Sequence, residues 1–474
     1  MLNKIDNMLY VVFSAVILSG CASYHPVPLP SEIGSKATPP DYAEIRIQAR
    51  QIHHPILKPI EFDERDGLSP DEAAVLAVLV NPELKAARDK KQIAAAQLLQ
   101  AGLLPNPRLS YDMEFPTGGE TEGTVTAFAV GADWDISSLI SHQARVDAAR
   151  SDVNSVSLDV AWQEWQVAEG AKLHAYRLMF ADKTLAVAED ALAGQKEYRN
   201  LIEKGFNLGE KTTVELTEAD SAVRHAALAV LTARQRRQKE RLALNQAMGL
   251  SPGEAVTLQK DIALPYFENL PSQKELIEPI RRRRLDLLAL RAGYQSQEAK
   301  VRAAIKSQFP KISIGPSVGR DIEDVDTAGF GLSVDLPFFD RNQGNIAMER
   351  ATRRQLFDEY SARLSDAGFE IANALEDIES TRRQLDAAKQ YLPVLEKSAH
   401  SYKKAAENGS GDYLSYYKVL NAFYSAEIEL LGLQKRLVET GIALEIASGR
   451  YLPARQSSDV EAKSAGEHFG EAKK

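Results

Sequence analysis

Two spacings of apolar residues divide this chain. In Arg108–Phe115 the apolar side chains fall at Leu109, Tyr111, Met113 and Phe115, and in the next such stretch at Phe128, Val130, Ala132, Trp134 and Ile136. A second pair lies far downstream, at Ile312, Ile314 and Val318, then at Phe330, Leu332, Val334 and Leu336. Side chains on a strand alternate between faces, so this spacing predicts strands at about 108–116, 124–136, 311–319 and 328–337. Each carries one apolar and one polar face. Such lengths serve either a soluble antiparallel sheet or membrane-barrel strands of about 9–11 residues.

Between the strand pairs the period is helical. No proline interrupts Ser141 to Lys204, a run of roughly 95 Å at 1.5 Å per residue. In the second half Ile371, Ile378, Leu385, Leu392 and Ala399 are seven apart, with Ala374, Thr381, Ala388, Leu395 and Tyr402 three residues after each. That is a coiled-coil seam whose small residues allow close helix approach. Leu178, Leu185 and Leu192 repeat the register in the first half. Pro393, opposite Ala193, is expected to bend or locally unwind its helix.

The two halves repeat one plan. Shifted by 200 residues, Gly131 to Ile136 meets Gly331 to Leu336, Gly209 meets Gly409, and Ala243 to Gly249 meets Ala443 to Gly449. Upstream the shift is 203, where Arg88 meets Arg291 and Pro107 meets Pro310. A period this long is a duplicated domain of order helix, two strands, long helix, helix, and not a solenoid repeat. The fold class is therefore mainly α with a small β part. The halves are 67–250 and 273–451, joined by 251–272, with a polar tail over 452–474.

The start of the chain reads as an export signal. Lys4 precedes an apolar stretch from Met8 to Leu18, followed by Ser19, Gly20 and Cys21. A basic n-region, a short apolar stretch and small residues before a cut describe a secretory signal peptide over 1–20. Leu18-Ser19-Gly20-Cys21 resembles a bacterial lipobox, in which Cys21 becomes the acylated first residue of a proline-rich arm over 21–66. Cys21 is the only cysteine, which excludes disulfides and cysteine metal sites within the chain. A formal charge of −9 leaves no basic surplus for phosphates, so nucleic acid is not a partner. The mean hydropathy of −0.29 excludes a bundle of membrane-spanning helices.

Other motifs carry no chemistry. His53 and His54, with His25, lack metal-ligand spacing and read as part of a solvated arm. Gly209-Glu-Lys-Thr lacks the glycine spacing of a phosphate loop, and the Ser-x-x-Lys at Ser401 lies on a coiled-coil helix without companion motifs. The basic runs Arg234–Arg241 and Arg281–Arg284 read as solvated helix faces or intersubunit ion pairs. Trp134, Tyr111, Phe115, Phe338 and Phe339 are either interfacial aromatics or core. No catalytic set, cofactor site or metal site emerges, so an enzyme is not expected.

Several motifs together resemble the TolC-like outer-membrane efflux factors over Leu68 to Tyr451. They are Asn81-Pro-Glu-Leu and Leu104-Pro-Asn-Pro-Arg-Leu-Ser110, entering the first strand pair, and Val334-Asp-Leu-Pro-Phe-Phe-Asp340, leaving the second. The turn regions Gly209 to Ala219 and Gly409 to Ala422 complete the set. The Pro-Asn-Pro entry is most similar to the heavy-metal-efflux branch.

Four strands cannot close a membrane barrel, so several copies must pool theirs. The chain permits two, three or more copies; the resemblance implies a homotrimer with a 12-stranded barrel in outer-membrane lipid and a helical barrel in the periplasm. It also implies a periplasmic adaptor and an inner-membrane transporter of the RND type, with the adaptor docking at the helical tips. The tip residues singled out are Gly209, Glu210, Glu215, Gly409, Asp412, Ser415 and Lys418. Relatives carry an acidic ring near the second tip; Ser415 and Lys418 stand at the matching positions here, so that ring is not transferred. Alternatives are a periplasmic lipoprotein adaptor, a coiled-coil structural protein of the envelope, or a type I secretion exit channel.

Overall fold

The computed structural model describes residues 24–29, 40–120, 122–260, 262–266, 270–407, 413–452 and 455–456. Cys21, Gly409, Asp412 and the tail beyond 456 lie outside them. Residues up to Pro39 form a separate unit, of which 24–29 are exposed and without regular structure. The described residues from Pro40 onward belong to a second compact unit.

That unit opens with α1 (Tyr42–Arg50), capped by the Asp41 carboxylate, which accepts from the Ala43 and Glu44 N–H groups. Ile45, Ala49, Leu57 and Phe62 are buried, so the part of the proline-rich arm beyond Pro40 packs onto the body instead of trailing in water. The solvated reading of His54 is corrected: its Nε2 lies 2.9 Å from the Ala161 carbonyl, and its Nδ1 accepts from the Ile56 and Leu57 N–H groups. His53 remains exposed.

In the first half α2 (Pro70–Val80) and α3 (Pro82–Gly102) lead to β1 (Arg108–Glu114) and β2 (Ala127–Asp135). Then come α4 (Ser138–Asn207) and α5 (Thr213–Met248). The connecting segment carries β3 (Pro265–Tyr266), which pairs antiparallel with β6 (Arg455–Gln456). The second half has the short helices α6 (Gln273–Ile277) and α7 (Ile280–Arg283), then α8 (Leu285–Lys306), β4 (Lys311–Arg320), β5 (Asp326–Asp335), α9 (Gln343–Glu407) and α10 (Tyr413–Ser448). The 70 residues of α4 reach about 105 Å.

Along α9, Ile371, Ala374, Ile378, Thr381, Leu385, Leu395 and Ala399 are buried as the heptad spacing predicts, while Tyr402 is exposed. Helical structure continues through Pro393, contrary to the expected unwinding. The proline sits on an exposed face, where water can satisfy the Lys389 carbonyl that loses its donor. β5 starts and ends two residues earlier than its apolar spacing suggests, and Pro337, with no N–H to give, follows shortly after.

The duplication is visible at its joints. α5 and α10 end in left-handed glycines, Gly249 (φ +72°) and Gly449 (φ +66°). A Cβ on Gly249 would lie 2.8 Å from Asn81 Cα, and one on Gly449 3.1 Å from Arg284 Cα. Asn81 and Arg284 are equivalent N-caps, opening α3 and α8. Asn81 Nδ2 donates to the Ala247 carbonyl at 2.9 Å, and Arg284 Nη1 to the Ala447 carbonyl at 3.4 Å. One architectural contact is thus made twice with different side chains.

This belt also buries charge. Arg284 is 1% exposed and meets Asp286 at 2.7 Å and Glu370 at 2.5 Å, while Arg363 reaches Asp286 at 2.8 Å. On the other side Lys172 approaches Asp71 at 3.2 Å and Glu445 at 3.7 Å. Glu169 is buried beside them with neither oxygen hydrogen-bonded among the described residues, and burial pushes its carboxyl up to about 8.

Candidate functional site: an amphipathic open sheet and a helical tip

The four long strands form one antiparallel sheet of order β1-β2-β4-β5. Its register fixes what each face presents. Leu109 lies opposite Ala132, Tyr111 opposite Val130 and Met113 opposite Phe128. Val130 meets Val318, and Trp134 meets Ile314. Ile312 meets Val334, Ile314 meets Leu332, and Pro316 meets Phe330. All of these share one face, and it is not covered: Leu109 is 62% exposed, Phe330 71% and Leu332 66%. The opposite face carries Ser110, Asp112, Glu114, Gly131, Ser313, Ser317 and Ser333. An apolar surface of this extent calls for a partner that is not water. The outer edges of β1 and β5 have no strand beside them among the described residues.

Aromatic side chains gather around this face. Tyr111 and Phe115 are exposed, as are Phe338 and Phe339 after β5, the last at 96%. Trp134 is half-buried, and its indole N–H donates to the Pro105 carbonyl at 2.9 Å. They are surface groups and not core.

At the end of the sheet away from the helices lie the β1–β2 loop and the β4–β5 turn, joined by Val125 N–H donating to the Ile322 carbonyl at 3.0 Å. Stretches 109–126 and 312–326 hold eight carboxylates and one base, Arg320. The acids are Asp112, Glu114, Glu120 and Glu122, then Asp321, Glu323, Asp324 and Asp326. Arg320 is itself held by Asp324 at 3.1 Å and Asp326 at 3.0 Å.

At the far end of α4 the chain reverses through Leu208, Gly209 and Glu210. Gly209 adopts φ +77°, which suits glycine, and the Glu210 and Lys211 N–H groups both donate to the Gly205 carbonyl. α5 then starts with a capping box between Thr212 and Glu215. The Glu215 carboxylate accepts from Thr212 N–H at 2.8 Å and pairs with Lys211 at 2.9 Å; these partners hold its carboxyl down at about 2. Glu215 is thus tied to the start of its helix. Glu210 and Lys418 are exposed, and Ser415 is half-buried.

Spacing alone did not single out the tyrosines here. Tyr198 stacks on Tyr417 at 5.1 Å and meets Tyr416 edge-on at 6.3 Å, so they join α4 to α10 beside Ile202 and Leu420. Lys211 lies 4.8 Å from the Tyr413 ring centroid. The signal was present as Tyr413, Tyr416, Tyr417 and Tyr424, which share one side of a helix. Between α5 and α10 runs a groove of about 680 Å³, lined by Tyr198, His225, Tyr417, Asn421 and Tyr424. Gln195 donates to Asn421 at its floor, while its own buried Oε1 has no donor among the described residues.

Comparison with known proteins agrees with this architecture. A family model for outer membrane efflux proteins matches residues 74–250 and 276–450, one match in each half. The cobalt-zinc-cadmium resistance protein CzcC of Cupriavidus metallidurans is 23% identical over 388 residues, covering 81% of this chain and 90% of CzcC. The cation efflux system protein CusC of Escherichia coli O6:H1 is 24% identical over 285 residues, covering 56% of this chain and 59% of CusC. Among solved structures, the Campylobacter jejuni CmeC outer membrane channel superposes with a TM-score of 0.70 at 17% identity, over 84% of this chain and 89% of CmeC. With both halves matched, the chain belongs to the outer membrane efflux protein family.

Proposed function

We propose that the protein is the outer-membrane exit duct of a tripartite efflux pump, assembled as a homotrimer and anchored additionally through an acylated Cys21. The observation that carries this reading is the amphipathic, open-edged sheet set on helices of about 100 Å. In hydrocarbon every backbone polar group needs a partner, so an open four-stranded sheet is stable there only when its edges are closed by neighbouring copies. Pairing β1 of one copy with β5 of the next closes the ring, and three copies give 12 strands with the apolar face toward lipid. The helices then extend into the periplasm and their reversals face inward, where a periplasmic adaptor and an inner-membrane transporter of the RND type deliver cargo. The groove beside Gln195 is suited to an adaptor segment that brings a hydrogen-bond donor.

The reading extends to cargo. CzcC and CusC are named for metal-ion resistance and cation efflux, and the outer mouth of this chain is strongly acidic. Carboxylates ringing a narrow mouth raise the local cation concentration and repel anions. We assign the duct to cationic cargo.

Four outcomes follow. Native mass spectrometry in detergent gives three copies per particle, and Leu332→Arg, at about 2–4 kcal/mol per midplane charge, blocks insertion; a stable monomer with full β content overturns the barrel. The mature N-terminus, read by mass spectrometry, carries lipid on Cys21, and an unmodified N-terminus elsewhere removes the anchor. Gly209→Lys leaves trimer and insertion intact but abolishes export, and a cysteine at position 210 cross-links to the adaptor. Labelling of that cysteine by an impermeant reagent on intact cells would invert the topology. In a planar bilayer under a salt gradient the duct prefers cations, and neutralising Asp112, Glu114, Asp321 and Glu323 together brings the preference close to unity; an unchanged reversal potential sinks the cation assignment.

A further inference from the structure

The run Arg281 to Arg284 splits in the folded chain. Arg284 turns into the core, where Asp286 and Glu370 neutralise it. Arg281 and Arg282 instead line an open cleft of about 890 Å³, together with Arg291 and Tyr360. The two carboxylates on its wall are already engaged. Glu275 accepts from Ser272 N–H and Oγ, both at 2.8 Å, and Glu278 pairs with Lys274 at 3.8 Å. Arg281, Arg282 and Arg291 have no ion-pair partner among the described residues. Nearby, Arg450 has a buried Nε without a hydrogen-bond partner there, and burial plus the Arg283 charge lower its pKa. Three arginines against two carboxylates leave the cleft net cationic in a chain of net charge −9.

Its position limits the occupant. From Arg291 to the end of α8 at Lys306 is about 22 Å of helix, and four more residues precede β4. The interfacial layer of a bilayer adds only about 5–8 Å on each side of the hydrocarbon. If the sheet lies in the outer membrane, which rests on the function proposed above, the cleft lies below the headgroups. A duct crossing that space passes through the cell wall, a polymer whose peptide stems bear carboxylates. Guanidinium groups bind carboxylates in bidentate fashion, and several together reward a repeating polyanion.

We propose that the Arg281–Arg282–Arg291 cleft is a binding site for the carboxylate-bearing stems of peptidoglycan and ties the duct to the cell wall. Co-sedimentation of the full-length detergent-purified protein with isolated sacculi tests it. The wild type sediments with sacculi, and the triple variant Arg281→Glu, Arg282→Glu, Arg291→Glu loses binding by about tenfold or more. Replacing the same three by lysine preserves much of the binding, because the charge is kept. Native mass spectrometry and single-channel conductance show whether each variant still assembles and inserts, so loss of the duct itself is distinguishable from loss of the tether. Wild-type protein that ignores sacculi overturns the proposal, as does a glutamate variant that sediments like wild type. Binding only to vesicles containing phosphatidylglycerol gives the site to lipid instead. Trimers that fall apart in the glutamate variant alone assign the arginines to subunit contacts, which also overturns it.

Discussion

The structure depends on one constraint: a strand in hydrocarbon cannot leave its N–H and C=O groups unpaired. Inside the sheet the ladders β1–β2, β2–β4 and β4–β5 satisfy these groups, but the outer edges of β1 and β5 offer rows of donors and acceptors with no strand beside them among the described residues. The same strands display an apolar face that water does not favour. In water both features would promote aggregation, whereas in a ring of copies within lipid each removes the other's cost. The sheet itself thus supports the oligomer proposed above, before any contact between helices is considered.

A long duct also needs a rigid waist, and the belt supplies it with polar groups instead of apolar packing alone. Replacing the Asn81 cap by Arg284 in the second half brings a guanidinium into a site 1% exposed, which is unfavourable unless every charge is met. Asp286, Glu370 and the Ala447 carbonyl meet it, and the Trp162 ring lies 5.1 Å away. On the opposite side Lys172 joins α4 to α2 and α10 through Asp71 and Glu445. Such contacts are directional. They fix the register of helices whose surfaces, rich in alanine at seam positions, would otherwise slide. The two halves thus share a backbone joint while differing in its chemistry, neutral at Asn81 and charged at Arg284.

Much of this was legible in the sequence because periodicity is a local property. The four strands, the long uninterrupted helices and the seam from Ile371 to Ala399 all follow from spacing, and the duplication follows from matched glycines such as Gly249 and Gly449. What failed was tertiary. Proline density suggested a solvated segment around His54, yet Leu57 and Phe62 each found a buried place, and no period announces an isolated apolar residue in a loop. Glu215 was singled out as a tip residue, and its distance of three from Thr212 carries a further signal, that of a capping box. The tyrosine cluster at the tip was visible in composition, but its pairing with Tyr198 joins residues more than two hundred positions apart.

Charge is distributed along the molecule so that each level acts alone. Exposed charges lose sight of one another beyond about 8–10 Å at physiological ionic strength. The acidic mouth, the arginine cleft and the tip are separated by tens of ångströms of helix and strand, so the net charge of −9 describes none of them. On the functions proposed above, a carboxylate-rich mouth would act on what leaves, an arginine-rich cleft on what surrounds the tube, and a tip of tyrosines with ion-paired Lys211 on a protein partner. Long helices make this separation possible, since a compact domain of the same composition would bring the three fields within reach of each other. The length that carries cargo across the periplasm is thus also what keeps the three surfaces electrostatically independent.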